Sequence, residues 1–199
     1  MTQPTPLDAE TILSATEEVL RRHGPAKATV LDVAQVLGVS HASVYRRFSS
    51  KAALREAVTR RWLRRITDAL APVARDTRTL PAERLRVWLS CFFAEMRART
   101  GDDPQLFATY RILTAEHNEA VADHLADLLG QLRGIIEDGV AQGEFTAGES
   151  ADPAATAQAV FDATARFHHP LLAAEWTRPG TREAAEAVSA LVVRGLRGR

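Results

Sequence analysis

The chain has 199 residues, of which 46% are apolar, and its formal net charge at pH 7 is zero. This length and composition are sufficient for one large or two small domains with a hydrophobic core. No segment approaches the roughly 18 uninterrupted apolar residues of a membrane span, and the first residues show no cationic run followed by an apolar run. We therefore expect a cytoplasmic protein with no membrane partner.

The cysteine and histidine content argues against metal chemistry. Cys91 is the only cysteine, which excludes an internal disulfide framework and a multi-cysteine metal site. We expect it to be a small apolar filler on a helix, with a redox switch as the alternative. His117 and His124 are seven residues apart and are expected on one face of a helix, but a metal site requires three or four converging ligands. We therefore expect no metal and no cofactor.

Charge is distributed unevenly along the chain. Residues 1–65 hold 11 basic and 6 acidic residues, a net charge of +5, and the remainder holds 14 basic and 19 acidic residues, a net charge of −5. Within 41–65 there are eight basic residues and a single acid, Glu56. Such a local excess favours a phosphate-rich partner for the N-terminal part. We expect the arginines that follow residue 54 in this segment to be mostly solvated.

All periodic segments repeat with the spacing of a helix, and none alternates in the manner of a strand. Thr5 and Pro6 are the expected cap and first residue of the first helix, Gly24 and Pro25 are expected to stop it, and Pro72 is expected to end or kink the fourth helix. The fold class is therefore predicted to be all-α. The approximate helices are 5–23, 29–37, 40–48, 50–72, 81–99, 105–115, 116–142, 152–168 and 181–195.

The segment 29–48 has the pattern of a helix-turn-helix. Thr29 can cap one short helix and Ser40 the next, and Gly38 lies between them, where a helix that ends in a left-handed residue requires glycine. The second helix of such a motif lies in the major groove of DNA. A helical hairpin inside a larger core is the alternative, but the caps, the glycine turn and the cationic second helix favour DNA binding. The residues on its outward face are His41, Ala42, Ser43, Tyr45, Arg46 and Arg47.

The segment from Ile12 to about Leu54 resembles the tetracycline-repressor-like (TetR) family of transcriptional regulators. The resemblance depends on the runs TVLDVAQVLGVS (29–40) and VYRRFSSKAAL (44–54). It implies a homodimer with a three-helix DNA-binding head, 1–48, and a helical ligand-binding and dimerisation domain, 49–199, of which 49–72 is a linking helix. Binding of a small molecule to the second domain would release a palindromic operator.

The resemblance also implies roles for individual residues. Thr29 and Lys51 would contact the DNA backbone, while Tyr45 and Arg46 would contact phosphates or base edges. Arg46 is the preferred candidate for a guanine contact because arginine can pair with O6 and N7 of that base; a phosphate contact is the alternative. Ala42 and Arg47 depart from the residues that members often carry, so no base preference is transferred. The full predicted DNA-binding set is Thr29, Ser40, His41, Ala42, Ser43, Tyr45, Arg46, Arg47 and Lys51.

The C-terminal part contains a band of large apolar side chains with a few polar atoms. A cavity among such helices would suit an apolar or aromatic effector, and an ordinary packed core is the alternative. One of the histidines is a candidate polar anchor in such a pocket. The predicted ligand-binding residues are Trp62, Trp88, Phe92, Met96, Phe107, Tyr110, His117, Phe161, Phe167 and His168.

The last two helices carry an apolar stripe with several small residues, which suits packing against a second copy of the chain. Packing on the same domain is the alternative. Recognition of a two-fold symmetric site requires a dimer, because one helix-turn-helix reads only a half-site. The predicted interface residues are Val160, Ala184, Ala187, Val188, Leu191 and Val192.

These observations predict a ligand-responsive DNA-binding regulator, with a repressor as the preferred form. An activator of the same architecture is an alternative that the sequence does not distinguish. An enzyme in the C-terminal helices is a weaker alternative, because the chain has no phosphate loop, no His-Glu metal pair and no spacing typical of a nucleophile and its base.

Overall fold

The computed structural model describes residues 7–146 and 152–197, and within them it contains only helices and connecting turns. The predicted all-α class is confirmed. Two short 3-10 segments, Ala165–Phe167 and Pro170–Glu175, follow the eighth helix. The α-helices are α1 (Ala9–Lys27), α2 (Val30–Leu37), α3 (His41–Tyr45), α4 (Lys51–Ala74), α5 (Pro81–Asp102), α6 (Pro104–Ala115), α7 (Glu119–Ala141), α8 (Pro153–Ala163) and α9 (Thr181–Arg197).

The ends of α1 differ from the prediction. The expected cap Thr5 and the expected first residue Pro6 lie outside the described residues, and α1 begins at Ala9 because the Asp8 carboxylate accepts a hydrogen bond from the Thr11 amide at 2.7 Å. Gly24 has a φ of 72°, which breaks the helix there, and one further turn follows before Ala28. Pro72 neither ends nor interrupts α4, which continues to Ala74.

Two boundaries in the C-terminal part are shifted by local side-chain contacts. The predicted start of α7 at residue 116 is wrong, because His117 has a φ of 53° and Asn118 Oδ1 accepts a hydrogen bond from the Ala120 amide at 2.9 Å. The predicted end of α8 near residue 168 is also wrong. The Thr164 hydroxyl bonds to the carbonyls of Val160 and Phe161 at 2.9 and 3.0 Å, and the 3-10 segments begin there.

The first of two compact units contains the described chain up to Leu63 together with Asp103–Val121. In it α1 packs against α2 and α6, and α2 packs against α3. This unit therefore joins the predicted DNA-binding head, 1–48, with a helix that begins at Pro104, 56 residues after the end of the head. Its core includes Ile12, Val19, Leu20, Val33, Ala34, Val44, Leu54, Val58 and Leu106.

The second unit contains Arg64–Asp102 and the described residues from Ala122 onward. Here α5 packs against α9 and against the second 3-10 segment. None of the helices described is both long and apolar enough to cross a membrane. The core of this unit includes Trp88, Leu89, Phe92, Phe93, Met96, Leu128, Leu132, Ile135, Phe167 and Val193.

Candidate nucleic-acid interface

The first helix of the motif, α2, begins and ends as its sequence predicts. The Thr29 hydroxyl accepts a hydrogen bond from the Asp32 amide at 3.2 Å, and the Asp32 carboxylate accepts one from the Thr29 amide at 2.9 Å. The Thr29 hydroxyl also lies 2.7 Å from the Asp32 carboxylate and donates to it, and this bond, together with the one from the Thr29 amide, holds the pKa of Asp32 below its usual value. At the other end Gly38 adopts the left-handed conformation, with φ 65° and ψ 29°. The chain therefore turns between α2 and α3 without steric strain.

The second helix of the motif, α3, has five residues and is capped by Ser40, whose hydroxyl accepts a hydrogen bond from the Ser43 amide at 3.3 Å. Val44 is 1% exposed and anchors α3 against the rest of the unit. Because α3 buries only this residue, its remaining positions are available on the surface. His41, Ala42, Tyr45, Arg46 and Arg47 are exposed, and Ser43 is half-buried.

Several exposed side chains of this surface are held in place by their neighbours. Arg46 Nη2 donates a hydrogen bond to Ser43 Oγ at 2.9 Å, and Arg47 Nε donates one to the Leu7 carbonyl at 3.2 Å. The rings of His41 and Tyr45 meet edge to face, with centroids 6.3 Å apart. The surface thus offers two guanidinium groups, an imidazole and a phenol hydroxyl, which can bind phosphate oxygens and base edges.

Lys51 lies at the N-terminal end of α4. Ser50 is the side-chain cap of this helix, since its hydroxyl accepts a hydrogen bond from the Ala53 amide at 3.0 Å. The Lys51 ammonium is exposed. A helix N-terminus favours an anion because its first amide groups have no partner within the helix. The charge of Lys51 and the helix end therefore both favour a bound phosphate.

Three of the five arginines that follow on α4 form ion pairs, so the prediction that they are solvated is wrong for these three, whereas Arg64 and Arg65 are exposed. Arg55 pairs with Glu116 at 2.7 Å, Arg60 with Glu56 at 2.9 Å, and Arg61 with Glu17 at 2.7 Å. Glu56 lies one turn before Arg60 on the same helix. Glu17 comes from α1 and Glu116 from the turn after α6, so sequence proximity does not reveal these two partners.

Two basic residues of the helix-turn-helix and one at the start of α4 are not neutralised by such pairs. In the part of the chain that the structure describes, Arg46, Arg47 and Lys51 form no ion pair with a carboxylate. Their charges therefore remain available for a phosphate-rich partner.

The second unit contains an aromatic cluster in its core. We use this name for Trp88, Phe92, Phe93, Phe161, Phe167 and His168. The ring centroids of Phe161 and His168 are 4.2 Å apart, those of Phe92 and His168 4.9 Å, and those of Phe93 and Phe167 5.5 Å. The structure thus brings five of the ten predicted ligand-binding residues together, and Met96 of the same unit is fully buried.

Two histidines of this unit are buried in apolar surroundings. His168 is 3% exposed and one of its ring nitrogens, Nε2, lies 3.0 Å from the Phe161 carbonyl. Burial lowers the pKa of His168 to about 4 and that of His124 to about 3. Both rings are therefore neutral at physiological pH. His124 was not among the predicted ligand-binding residues, because its burial depends on packing that the sequence pattern does not display.

The remaining predicted ligand-binding residues belong to the first unit. The ring centroids of Trp62 and Tyr110 are 6.0 Å apart and those of Phe107 and Tyr110 are 6.1 Å apart. All three are buried, and burial raises the pKa of the Tyr110 hydroxyl. His117 is exposed in the turn before α7, so it does not share a helix face with His124 as predicted.

The predicted dimer residues of α9 lie beside its buried face. The face that packs inward consists of Thr181, Ala185, Ser189 and Val193. The predicted α9 residues are half-buried or exposed, and Leu191 is 57% exposed. Val160, on α8, is 3% exposed and packs within its own unit. Among the described residues, no group of three His, Cys, Asp or Glu side chains is placed to hold a metal ion.

A helix-turn-helix with an exposed cationic second helix, in a chain that continues into a larger all-α part, defines the class of DNA-binding transcriptional regulators. Comparison with known proteins agrees. Residues 12–58 match the family described as "Bacterial regulatory proteins, tetR family". Residues 81–189, more than half of the chain, match the family described as "Tetracyclin repressor-like, C-terminal domain". The chain belongs to the TetR family of transcriptional regulators.

Comparison with individual proteins gives matches of low sequence identity or partial coverage. An uncharacterised helix-turn-helix-type transcriptional regulator of Mycobacterium tuberculosis, found in two strains, is 34% identical over 106 residues. The match covers 53% of this chain and about half the length of that protein. The family that the sequence predicts is confirmed.

Solved structures share the fold at low sequence identity. A protein of unknown function from Rhodococcus sp. RHA1 has a TM-score of 0.72 at 22% identity and covers 99% of this chain and 100% of its own. The Haloarcula marismortui TetR transcription regulator has a TM-score of 0.69 at 22% identity, covering 95% and 97%. FadR from Bacillus subtilis, solved in complex with stearoyl-CoA, has a TM-score of 0.65 at 18% identity, covering 94% and 99%.

Proposed function

We propose that this protein is a homodimeric repressor that binds a palindromic operator and leaves it when an apolar or aromatic small molecule binds its C-terminal part. The observation that carries the proposal is the exposed surface of α3 and the start of α4, where Arg46, Arg47 and Lys51 have no carboxylate partner among the described residues. Since its partner would be DNA, we place the protein in the cytoplasm, and we propose no enzymatic activity.

Binding to DNA would combine two kinds of contact. Thr29, Tyr45 and Lys51 are proposed to contact phosphates, which supply affinity that falls steeply with salt. Arg46 is proposed to read a guanine, and His41 and Ser43 to face base edges in the groove. The Ser40 hydroxyl caps α3 and so fixes the direction of this helix. Division of the chain into a head, 1–48, and an effector domain, 49–199, is part of the same proposal.

The effector would bind among the predicted aromatic residues. Support comes from the two buried neutral histidines, which give the aromatic cluster a few polar atoms in an apolar setting, as ligand pockets commonly have. A ligand-binding role is proposed separately for Trp62, Phe107 and Tyr110, whose rings pack together within the first unit. A ligand can release DNA only if it binds more tightly to the DNA-free state.

Helix α6 offers a direct route from effector to head. It belongs to the same compact unit as α1 to α3. Asp103, just before α6, accepts a hydrogen bond from Arg21 Nε of α1 at 2.6 Å. Glu116, just after α6, pairs with Arg55 of α4. A ligand that binds Phe107 or Tyr110 and displaces α6 would therefore also displace α1 and α4, and with them the head.

The dimer would form through the exposed stripe of α9. Ala184, Ala187, Val188, Leu191 and Val192 lie beside the face that packs inward, and small side chains allow two helices to approach closely. Burial of Leu191, which is 57% exposed in the single chain, would contribute to association. Two heads held in this way can occupy two half-sites about one helical turn of DNA apart.

Selection from random duplexes with the full chain tests the proposal. We expect enrichment of a palindrome at moderate salt, and dissociation of the selected duplex when apolar or aromatic compounds are screened against it. Stearoyl-CoA, which has an apolar acyl chain and is seen bound to FadR, is added to the screen. A reporter that carries the selected duplex upstream of a promoter separates a repressor from an activator. Enrichment of no sequence would contradict DNA recognition, and enrichment of a single unpaired half-site would contradict the dimer.

A further inference from the structure

A groove runs along the junction of α5 and α9 in the second unit, apart from the predicted ligand-binding set. Its volume is about 220 Å³, and since a cavity of about 150 Å³ is enough to hold benzene, a small organic molecule fits. From α5 it is lined by Arg86, Ser90, Phe93 and Arg97, and from α9 by Arg182, Ala185, Glu186 and Ser189.

The charge of this groove is opposite to that of the sequence around it. Residues 66–199 hold 14 basic and 19 acidic residues, yet three of the eight lining residues are arginines and only Glu186 is acidic. Arg86 has Glu83 at 3.3 Å, and Arg182 has Glu183 and Glu186 only at 3.8 and 3.9 Å. The groove therefore carries an excess of positive charge that its own carboxylates compensate loosely.

Arg97 is the residue most suited to hold a ligand. It is half-buried, and no carboxylate pairs with it in the described ranges 7–146 and 152–197. A partly desolvated guanidinium strongly favours an anion, and its planar fork matches carboxylate and phosphate oxygens. The exposed hydroxyl of Ser90, seven residues earlier and therefore on the same side of α5, offers a further donor.

The floor of the groove is apolar. Phe93 and Ala185 are 2% and 5% exposed. Arg86 and Arg97 are eleven residues apart on α5, which corresponds to about 16 Å along the helix. A ligand anchored at Arg97 has room to extend an apolar chain over Phe93 towards Arg86.

The groove also stays open in the proposed dimer. Its α9 residues Arg182, Ala185, Glu186 and Ser189 and the proposed dimer residues of α9 point in directions that differ by roughly 140°, given 100° per residue. A second copy on the stripe that includes Leu191 would not cover Arg182 or Glu186.

We propose that the α5–α9 groove is a binding site for a small amphipathic anion, with its carboxylate or phosphate on Arg97 and its apolar part on Phe93 and Ala185. Phe93 also contacts Phe167 and His168 of the aromatic cluster, with centroids 5.5 and 6.2 Å apart. A ligand that shifts the Phe93 ring would therefore change the packing of that cluster.

Isothermal titration of the full chain, without DNA, tests this site with octanoate, octyl phosphate, octanol and inorganic phosphate. We expect the two octyl anions to bind at least tenfold more tightly than octanol or inorganic phosphate, and their ratio decides between a carboxylate and a phosphate head group. Equal binding of octanol, or of inorganic phosphate, would overturn the proposed ligand class, as would binding of neither octyl anion.

Variants locate the site. Arg97→Gln should weaken both octyl anions at least tenfold, and Arg97→Lys, which retains the charge, should weaken them less. Arg133→Gln is the matched control, because Arg133 is a half-exposed arginine on α7 whose partner is Glu137 at 3.4 Å, and it should change nothing. Unaltered binding to Arg97→Gln would overturn the site. Because no DNA is present, this failure would leave operator recognition untouched.

Discussion

Arg46 is positioned before any DNA arrives. Its Nη2 donates to Ser43 Oγ, and that hydroxyl is in turn 3.0 Å from the cap hydroxyl of Ser40. A side chain that is already ordered loses less conformational entropy on binding. The Ser43 hydroxyl therefore holds the guanidinium against α3, and the Ser40 hydroxyl, besides capping the helix, contacts the Ser43 hydroxyl.

The first prediction separates sequence reading from phosphate binding. Arg46→Ala should cost about 1–3 kcal/mol with the selected operator and relax preference at one base pair. Lys51→Ala should weaken all duplexes alike and reduce the salt dependence of log K by about 0.9 for each phosphate that the protein no longer neutralises. Competition binding at several salt concentrations measures both. Arg22→Ala, which removes an arginine paired with Glu18 at 2.6 Å, is the control. A uniform weakening in Arg46→Ala would refute the base contact.

The second prediction concerns pH. Burial lowers the pKa of His168 to about 4 and that of His124 to about 3. In the unfolded chain histidine has a pKa of about 6.5. As the pH falls, these two side chains are therefore protonated in the unfolded chain before they are protonated in the folded one. The free energy of unfolding should be greatest above pH 6.5 and fall between pH 6.5 and 4, by about 1.4 kcal/mol per pH unit for each histidine.

Urea unfolding at a series of pH values between 7 and 5 measures this slope. His168→Gln should remove about half of it, whatever its effect on stability at pH 7. His117→Gln, which removes an exposed imidazole, should leave the slope as it is. A slope that His168→Gln does not alter would show that the buried ring is not its source.

At the scale of elements, the α2–α3 turn depends on one left-handed residue. Gly38 has a φ of 65° and no neighbour that an added Cβ would meet, so the cost of Gly38→Ala is conformational, about 1–2 kcal/mol. Gly130, in the middle of α7, also has open space around it, and Gly130→Ala should instead stabilise by about 0.5–1 kcal/mol. Thermal unfolding compares the two. Effects of the same sign would contradict this account of the turn.

The elements that sequence predicts well are those with local causes. The caps of α2 and α3 and the glycine turn depend on residues within three or four positions, and all are found as predicted. The end of α8 was misplaced because it depends on the Thr164 hydroxyl, which bonds back to two carbonyls. The ion pairs of Arg55 and Arg61 were missed because their partners Glu116 and Glu17 are more than 40 residues away.

At the scale of the whole molecule, the proposed dimer depends on α9. Leu191→Lys should convert the proposed dimer into monomers and weaken operator binding, because it places a charge in an apolar interface. Sedimentation velocity measures the change. Leu80→Lys is the matched control, since Leu80 is 63% exposed in the turn before α5 and lies outside the stripe. A dimer that survives Leu191→Lys would refute this interface.

The sequence predicts the function of the protein better than it predicts where the effector binds. The DNA-binding head can be recognised from one contiguous run of residues. The aromatic residues predicted to bind the ligand come instead from several helices and the 3-10 segments, and they belong to both units. Burial cannot be read from residue type alone, so His117 and His124 could not be told apart. Only the folded chain reveals that one is exposed and the other is buried.

The first compact unit is discontinuous in sequence, and this constrains how such a protein can be rearranged. The residues Asp103 and Gln105, which face Arg21 and Gly24 of α1, are supplied by a segment inserted far downstream. A crossover between two related genes anywhere in α4 would therefore give a protein with the DNA-binding head of one parent and the α6 of the other. Exchange of DNA specificity between such regulators would have to preserve the α1–α6 contact surface, or bring both segments across together.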